Sequence, residues 1–166
     1  MKKYLSLIVF LAVMVGAALL VHRQAGQLPE RVASHFGASG KADGWMAREA
    51  EVRAVYRLVL APPLFVIGLC YAIRFLPSRF LNVPNEAYWR TPENYSRACE
   101  ILFRSSLWIG ALMAAWAVSL HALIVAANRL TSLVLDSRGL AVITIMLAGA
   151  VVGWIVFLAR RFSRVP

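Results

Sequence analysis

The chain predicts an all-α membrane protein: a four-transmembrane-helix bundle with a structured extracytoplasmic loop, for which a short β-hairpin is one candidate form. Three observations carry this. The 166 residues are 60% hydrophobic and 16% charged, with a mean hydropathy of +0.67, where a soluble domain carries about 25% charge. Four apolar runs account for the difference. One polar, turn-rich stretch, "LPERVASHFGASGKADGW" from Leu28 to Trp45, separates the first two runs. The length allows one integral membrane domain, 1–166, and leaves little room for a soluble domain beside four spans.

The first span is placed at 4–21, after Met1-Lys2-Lys3. A signal peptide also opens on positive charge and an apolar core. Here the run is 18 residues long and "LLVHRQAG" offers no small-x-small cleavage site, so a retained span is expected.

The second span is placed at 55–75. Glu49 and Arg53 stand four apart, the spacing of helical neighbours, so the helix is expected to start near Ala47. Arg53 and Arg57 lie one turn apart and can snorkel to the interface. Pro62 and Pro63 lie inside the span. They remove two N–H donors and free the carbonyls of Leu58 and Val59, which predicts a kink.

A cytoplasmic loop and helix start occupy 82–104. Within it, "TPENYSRACEILFR" begins with Thr91 as N-cap, Pro92 at the first helical position and Glu93 at the positive helix end. The third span, 107–127, rises about 31 Å, enough to cross the hydrocarbon. The fourth, 139–159, ends at Arg160-Arg161.

Basic residues set the orientation. With the N-terminus inside, ten Lys and Arg lie inside and eight outside. That bias favours two cytoplasmic termini and an extracytoplasmic polar stretch at 28–48. The formal charge of +10 fits helix anchors beside anionic lipid better than nucleic-acid binding. Cys70 and Cys99 have no CxxC partner, so free thiols are expected rather than a metal or disulfide framework.

The polar stretch has its own logic. Leu28-Pro29 ends the first helix. "RVASHF" and "ADGWMA" read as two short strands around "GASGK", with Gly37 and Gly40 supplying permissive dihedrals. Phe36 and Trp45 are expected to anchor near the interface. These residues resemble the signature of a bacterial membrane family, domain of unknown function 1648, which SdpI-type immunity proteins share. Leu28, Pro29, His35, Phe36, Gly40, Asp43, Gly44 and Trp45 fit that pattern. Ala33 and Ala42 stand where prolines are usual, and Arg48 where Lys is usual. The resemblance covers roughly Leu28 to Pro63. "NVPNEAYW", Asn82 to Trp89, resembles a segment of small proteins of the same kind. The resemblance implies a protein type and a bacterial inner-membrane location, not an activity.

Candidate site residues are few. His35 with Asp43 and Glu30 could form a carboxylate–His metal or proton site; the plainer expectation is that His35 and Asp43 tie the turn by hydrogen bonds. No metal is expected, since one His with scattered acids is not zinc spacing. His121 lies in the third span, near Ser119 and one heptad before Asn128; the choices are a functional intramembrane group, an interhelical hydrogen bond, or a position near the outer interface, since six residues separate it from Ala127. Gly149 and Gly153 form a GxxxG motif, and Ala12 and Gly16 repeat the spacing; internal helix packing is expected over dimerisation. No nucleophile elbow, P-loop, dinucleotide glycine motif or HExxH occurs. The expectation is a non-enzymatic protein without cofactor. Its partners are the lipid bilayer and, as candidates, another membrane protein or a peptide, with no nucleic acid. The leading function is recognising or resisting a peptide or lipid at the outer face. The alternative is a small transporter or assembly subunit using the Pro62-Pro63 kink and His121. A metal-dependent enzyme built on His35 ranks third.

Overall fold

The computed structural model describes residues 4–165. Lys2 and Lys3, two of the basic residues that favoured an inside N-terminus, lie outside that range. The elements are α1 (Leu5–Ala25), a hairpin of β1 (Arg31–Phe36) and β2 (Ala42–Ala47), α2 (Arg48–Ala72), the short α3 (Glu86–Trp89), α4 (Pro92–Asn128) and α5 (Ser137–Ser163). Two single 3-10 turns, Ile73–Phe75 and Ser78–Phe80, follow α2. The two strands are the two expected from the sequence. Four helices are long and apolar enough to cross a membrane: α1, α2 continued to Phe75, α4 and α5. The chain is a multi-pass membrane protein.

The spans alternate in direction. Near the end that holds the termini, Ile67 of α2 and Phe10 of α1 both face Gly110 of α4, where an added Cβ would sit 2.9 and 3.3 Å from them. Toward the other end, Val21, Val55 and Ala117 share one core. Advancing along α1 and α4 therefore means retreating along α2. Here α1, α2 and α4 form a three-helix core, with Ala17, Val59, Ala114 and Ala117 at most 4% exposed. Small residues along α4 let the backbones approach closely.

The fourth span is different. Helix α5 packs on α4, yet its most apolar stretch is 0% buried, against 44% for that of α4. Gly149 and Gly153 meet no neighbour, since a Cβ built at either finds nothing within 4 Å. Gly16 is equally open and Ala12 is exposed. The expectation that both small-residue motifs pack inside the bundle is therefore corrected. Tertiary packing chose Ala111, Ala114 and Ala117 of α4 instead, because α4 is central and α5 lies on one side.

Helix α2 runs through Pro62 and Pro63 without a break. Pro63 is buried and Pro62 half-buried. Helix α4 starts with Thr91 in the N-cap position and Pro92 and Glu93 in the first turn. Thr91 does not cap with its side chain; its hydroxyl donates to the Tyr88 carbonyl at 3.1 Å and accepts from Asn94 at 3.1 Å. The preceding turn draws it away. Cys70 and Cys99 are free thiols.

The segment before α4 fastens the far end of α5. Asn85 takes a left-handed conformation, φ 56°, and its amide donates to the carbonyls of Phe162 and Ser163 at 3.3 and 2.9 Å. The Trp89 indole N–H donates to the Phe162 carbonyl at 2.9 Å, and its ring packs edge-on against Phe162 at 5.1 Å. These bonds take up orphan carbonyls of the helix C-terminus. The stretch "NVPNEAYW" is thus a clasp on α5.

Candidate functional site

The polar cap sits on the end of the bundle away from the termini. Leu28 and Val32 are buried against Ile124, Val125 and Ala127 of α4 and Leu135 beyond it. Phe36 is half-buried against the same cluster. The hairpin pairs Arg31 with Ala47, Val32 with Met46 and Ala33 with Trp45, and its register shifts near His35. Gly40 closes the turn at φ 76°, a conformation glycine adopts without a Cβ penalty. At Gly44 a Cβ would lie 2.9 Å from the Cβ of His35, its strand partner.

One edge of this small sheet is plugged. The N–H of Ala33 donates to Asn128 Oδ1 at 2.8 Å, and Asn128 Nδ2 donates back to the Ala33 carbonyl at 2.9 Å. The Asn128 amide thus imitates a neighbouring strand. The connection from α4 to α5 covers the turn end of the opposite, β2 edge: Ala42 N–H donates to the Leu133 carbonyl at 3.1 Å and Leu135 N–H to the Gly40 carbonyl at 2.9 Å, with Lys41 bridged to Val134. The cap is ordered by these bonds and by its buried apolar side.

The rest of the β2 edge, around Trp45, is open. Both backbone groups of Ala33 point away from β2 to reach Asn128. Ala33 and Trp45 are therefore a pair that does not exchange ladder bonds, so the N–H and C=O of Trp45 point away from β1. Trp45 is 44% exposed and Met46 36%. Trp45 was expected to anchor the loop beside Phe36. Instead it stands out from the core with the Arg31 guanidinium over its ring at 5.7 Å, because its strand position turns its side chain opposite to Met46 and away from the helix ends.

His35 Nδ1 and Asp43 Oδ1 are 2.5 Å apart, with side chains 76% and 51% exposed. They tie the turn at its surface. Glu30 does not join them by its side chain; its carbonyl accepts from Arg48 N–H at 2.9 Å. Among the described residues no group of three or more His, Cys, Asp or Glu converges as a metal site.

His121 is fully buried, and neither ring nitrogen has a hydrogen-bond partner. It lies on α4 between the Ala117 layer of the three-helix core and the Ile124–Val125 layer beneath the hairpin. Since Ile67 faces Gly110, Pro63 is level with Ala114, and His121 is two turns, about 10 Å, further along. The structure does not join His121 and Pro62-Pro63 into one site.

Residues 7–52 match the model of a family described as Domain of unknown function (DUF1648). The chain carries a DUF1648 domain. The match starts inside α1, takes in the whole hairpin and ends at Val52 in the first turns of α2. It reaches further back than the resemblance read from Leu28 to Pro63 and stops short of Pro62 and Pro63. No curated protein and no solved structure matches the chain. The DUF1648 hairpin thus leans on residues outside the matched segment, Asn128 and Leu133–Leu135 above all. Sequence reasoning missed both. A polar side chain ending a span was the available signal at Asn128, but nothing local announces a partner 95 residues away. Glu51, also within DUF1648, is 4% exposed and was passed over beside Glu49.

Proposed function

We propose that this is a non-enzymatic protein of a bacterial inner membrane, SdpI-like in kind, whose hairpin recognises an extended peptide at the outer face. The open edge of β2 carries the reading. A strand edge with unpaired N–H and C=O groups binds another extended backbone through main-chain hydrogen bonds, with alternate side chains read by neighbouring surfaces. Here Trp45 supplies both the free backbone groups and a large aromatic surface, which dominates binding energy where it is desolvated. The Asn128 plug on β1 and the Leu133–Leu135 connection at the turn end of β2 leave the stretch around Trp45 for pairing. His35 and Asp43 sit in solvent at the turn, a place for recognition rather than for a sheltered reaction.

Two measurements test this. Cysteines placed at Ser39 and Ser132 are expected to react with an impermeant reagent from outside, and cysteines at Ser96 and Ser163 are not; labelling at Ser96 overturns the orientation. A photoreactive phenylalanine analogue at Trp45, irradiated in native membranes, is expected to capture a peptide on the hairpin. Capture of lipid alone, or no more than at exposed Ala38, rejects peptide recognition.

A transporter or assembly subunit acting through His121 is the second reading, supported by its two unpartnered ring nitrogens. The packed surroundings of His121 count against a passage. If His121 only fills space, His121→Leu stabilises the protein, since an unsatisfied buried polar group costs about 1–3 kcal/mol. A variant that is no more stable, yet defective in cells, favours transport.

A further inference from the structure

The geometry points to a binding site for an anionic phospholipid in the groove between α4 and α5, at the end of the bundle that holds the termini. The groove is about 560 Å³, within the range of built ligand sites. Trp108, Leu112, Trp154 and Phe157 line its apolar part, and Arg104 and Arg161 its end. A second, adjoining groove passes Gly153 and Phe157 to Arg160, Arg161 and Arg164.

Three features make this a built site rather than loose packing. Helix α5 is fastened at both ends. Leu135, just before its start, is buried against Ile124 and Val125 of α4 and donates its N–H to the Gly40 carbonyl at 2.9 Å, and Asn85 and Trp89 hold its last turn. The gap between these fastenings is therefore maintained. Gly153 lines both grooves, and a Cβ there would meet nothing within 4 Å, so a larger side chain at this position would extend into the passage. The indole Nε1 of Trp154 is enclosed and has no partner.

Charge selects the occupant. From Ile73 to Arg104 and from Arg160 to Val165 there are eight arginines against three glutamates. Glu86 and Glu100 are already paired with Arg90 and Arg104, at 2.7 and 2.5 Å. Among the described residues Arg160, Arg161 and Arg164 make no ion pair. An apolar groove inside the span that runs out onto unpaired arginines matches a lipid with acyl chains and an anionic headgroup. Basic pockets between spans bind such headgroups, and guanidinium groups grip phosphate in bidentate fashion.

The full-length protein in mild detergent tests this by native mass spectrometry, titrated separately with phosphatidylglycerol and phosphatidylcholine of the same chains. Phosphatidylglycerol is expected to bind preferentially. Arg161→Ala is expected to weaken it roughly five-fold, the effect of one basic side chain near a lipid surface, and Gly153→Leu to abolish it by filling the groove. Arg138→Ala, at the opposite end, leaves binding unchanged. Equal binding of both lipids, or undiminished binding by Arg161→Ala, overturns the site. A dimer that forms without lipid and is lost in Gly153→Leu also overturns it, in favour of a second copy of the chain in the groove. If Gly153→Leu does not fold, the lipid preference and the Arg161→Ala comparison still decide.

Discussion

Helices α4 and α5 look alike in sequence and behave oppositely in the structure. Both are long and apolar, and α5 is the more hydropathic of the two. Yet α4 touches all three other spans, and α5 touches α4 and is otherwise held at its ends. The difference teaches that apolarity places a helix in the bilayer but does not place it in the bundle. Lipid tails are as apolar as leucine, so burial against another helix gains little from hydrophobicity. Close approach through small side chains separates the two. Ala114 and Ala117 are at most 1% exposed on α4, whereas Gly149 of α5, equally small, faces open space.

The sharpest way to break this contrast is to release the fastening at the C-terminal end of α5. Trp89 is 1% exposed and holds Phe162 by a ring contact and a hydrogen bond. Trp89→Ala is expected to cost about 3–5 kcal/mol, read as a lowered thermal transition in mild detergent, with faster tryptic cleavage at Arg160 and Arg161. Unchanged cleavage would mean that α5 is held by its groove face instead.

Next in size is a matched pair. Ala114→Leu overpacks the three-helix core and is expected to destabilise by about 1–3 kcal/mol. Gly149→Leu on α5 adds the same bulk to an open surface and is expected to leave the transition in place. Equal effects in the two variants would erase the distinction between the helices.

Asn128→Ala tests the hairpin end of α4. It strips partners from the N–H and C=O of Ala33, which is 0% exposed, at a cost of about 1–3 kcal/mol. Because the loss is local, amide exchange at Ala33 is expected to accelerate more than exchange in α4. Uniform acceleration would show that cap and bundle open together.

The smallest effect belongs to His35→Ala. The His35–Asp43 pair is short but solvated, and exposed pairs contribute less than about 1 kcal/mol. The fold is expected to survive, with tryptic cleavage at Lys41 rising modestly. Loss of the whole cap would show that the turn, rather than its buried side, holds the hairpin.

Much of this protein is determined by its sequence alone. A bilayer requires about 20 consecutive apolar residues per span, so four runs were legible without any knowledge of packing. The hairpin was legible because Gly40 answers a local demand for a left-handed turn and because apolar and polar residues punctuate it; Gly37, read beside it as a second permissive position, takes no left-handed conformation. The tie between His35 and Asp43 could be read for the same reason: its partners are eight residues apart. Tertiary structure decided the rest. Which span became the core, which glycines stayed open, how Asn128 plugs one edge of the hairpin while the other stays free at Trp45, and how Asn85 and Trp89 clasp α5 all depend on pairs 73 to 95 residues apart, or on which faces of uniformly apolar helices meet. The physical reason is that a membrane-spanning helix carries no polar face to announce its orientation. Its neighbours are selected by shape and by a few hydrogen bonds whose partners lie far along the chain, and those become visible when the helices are set side by side.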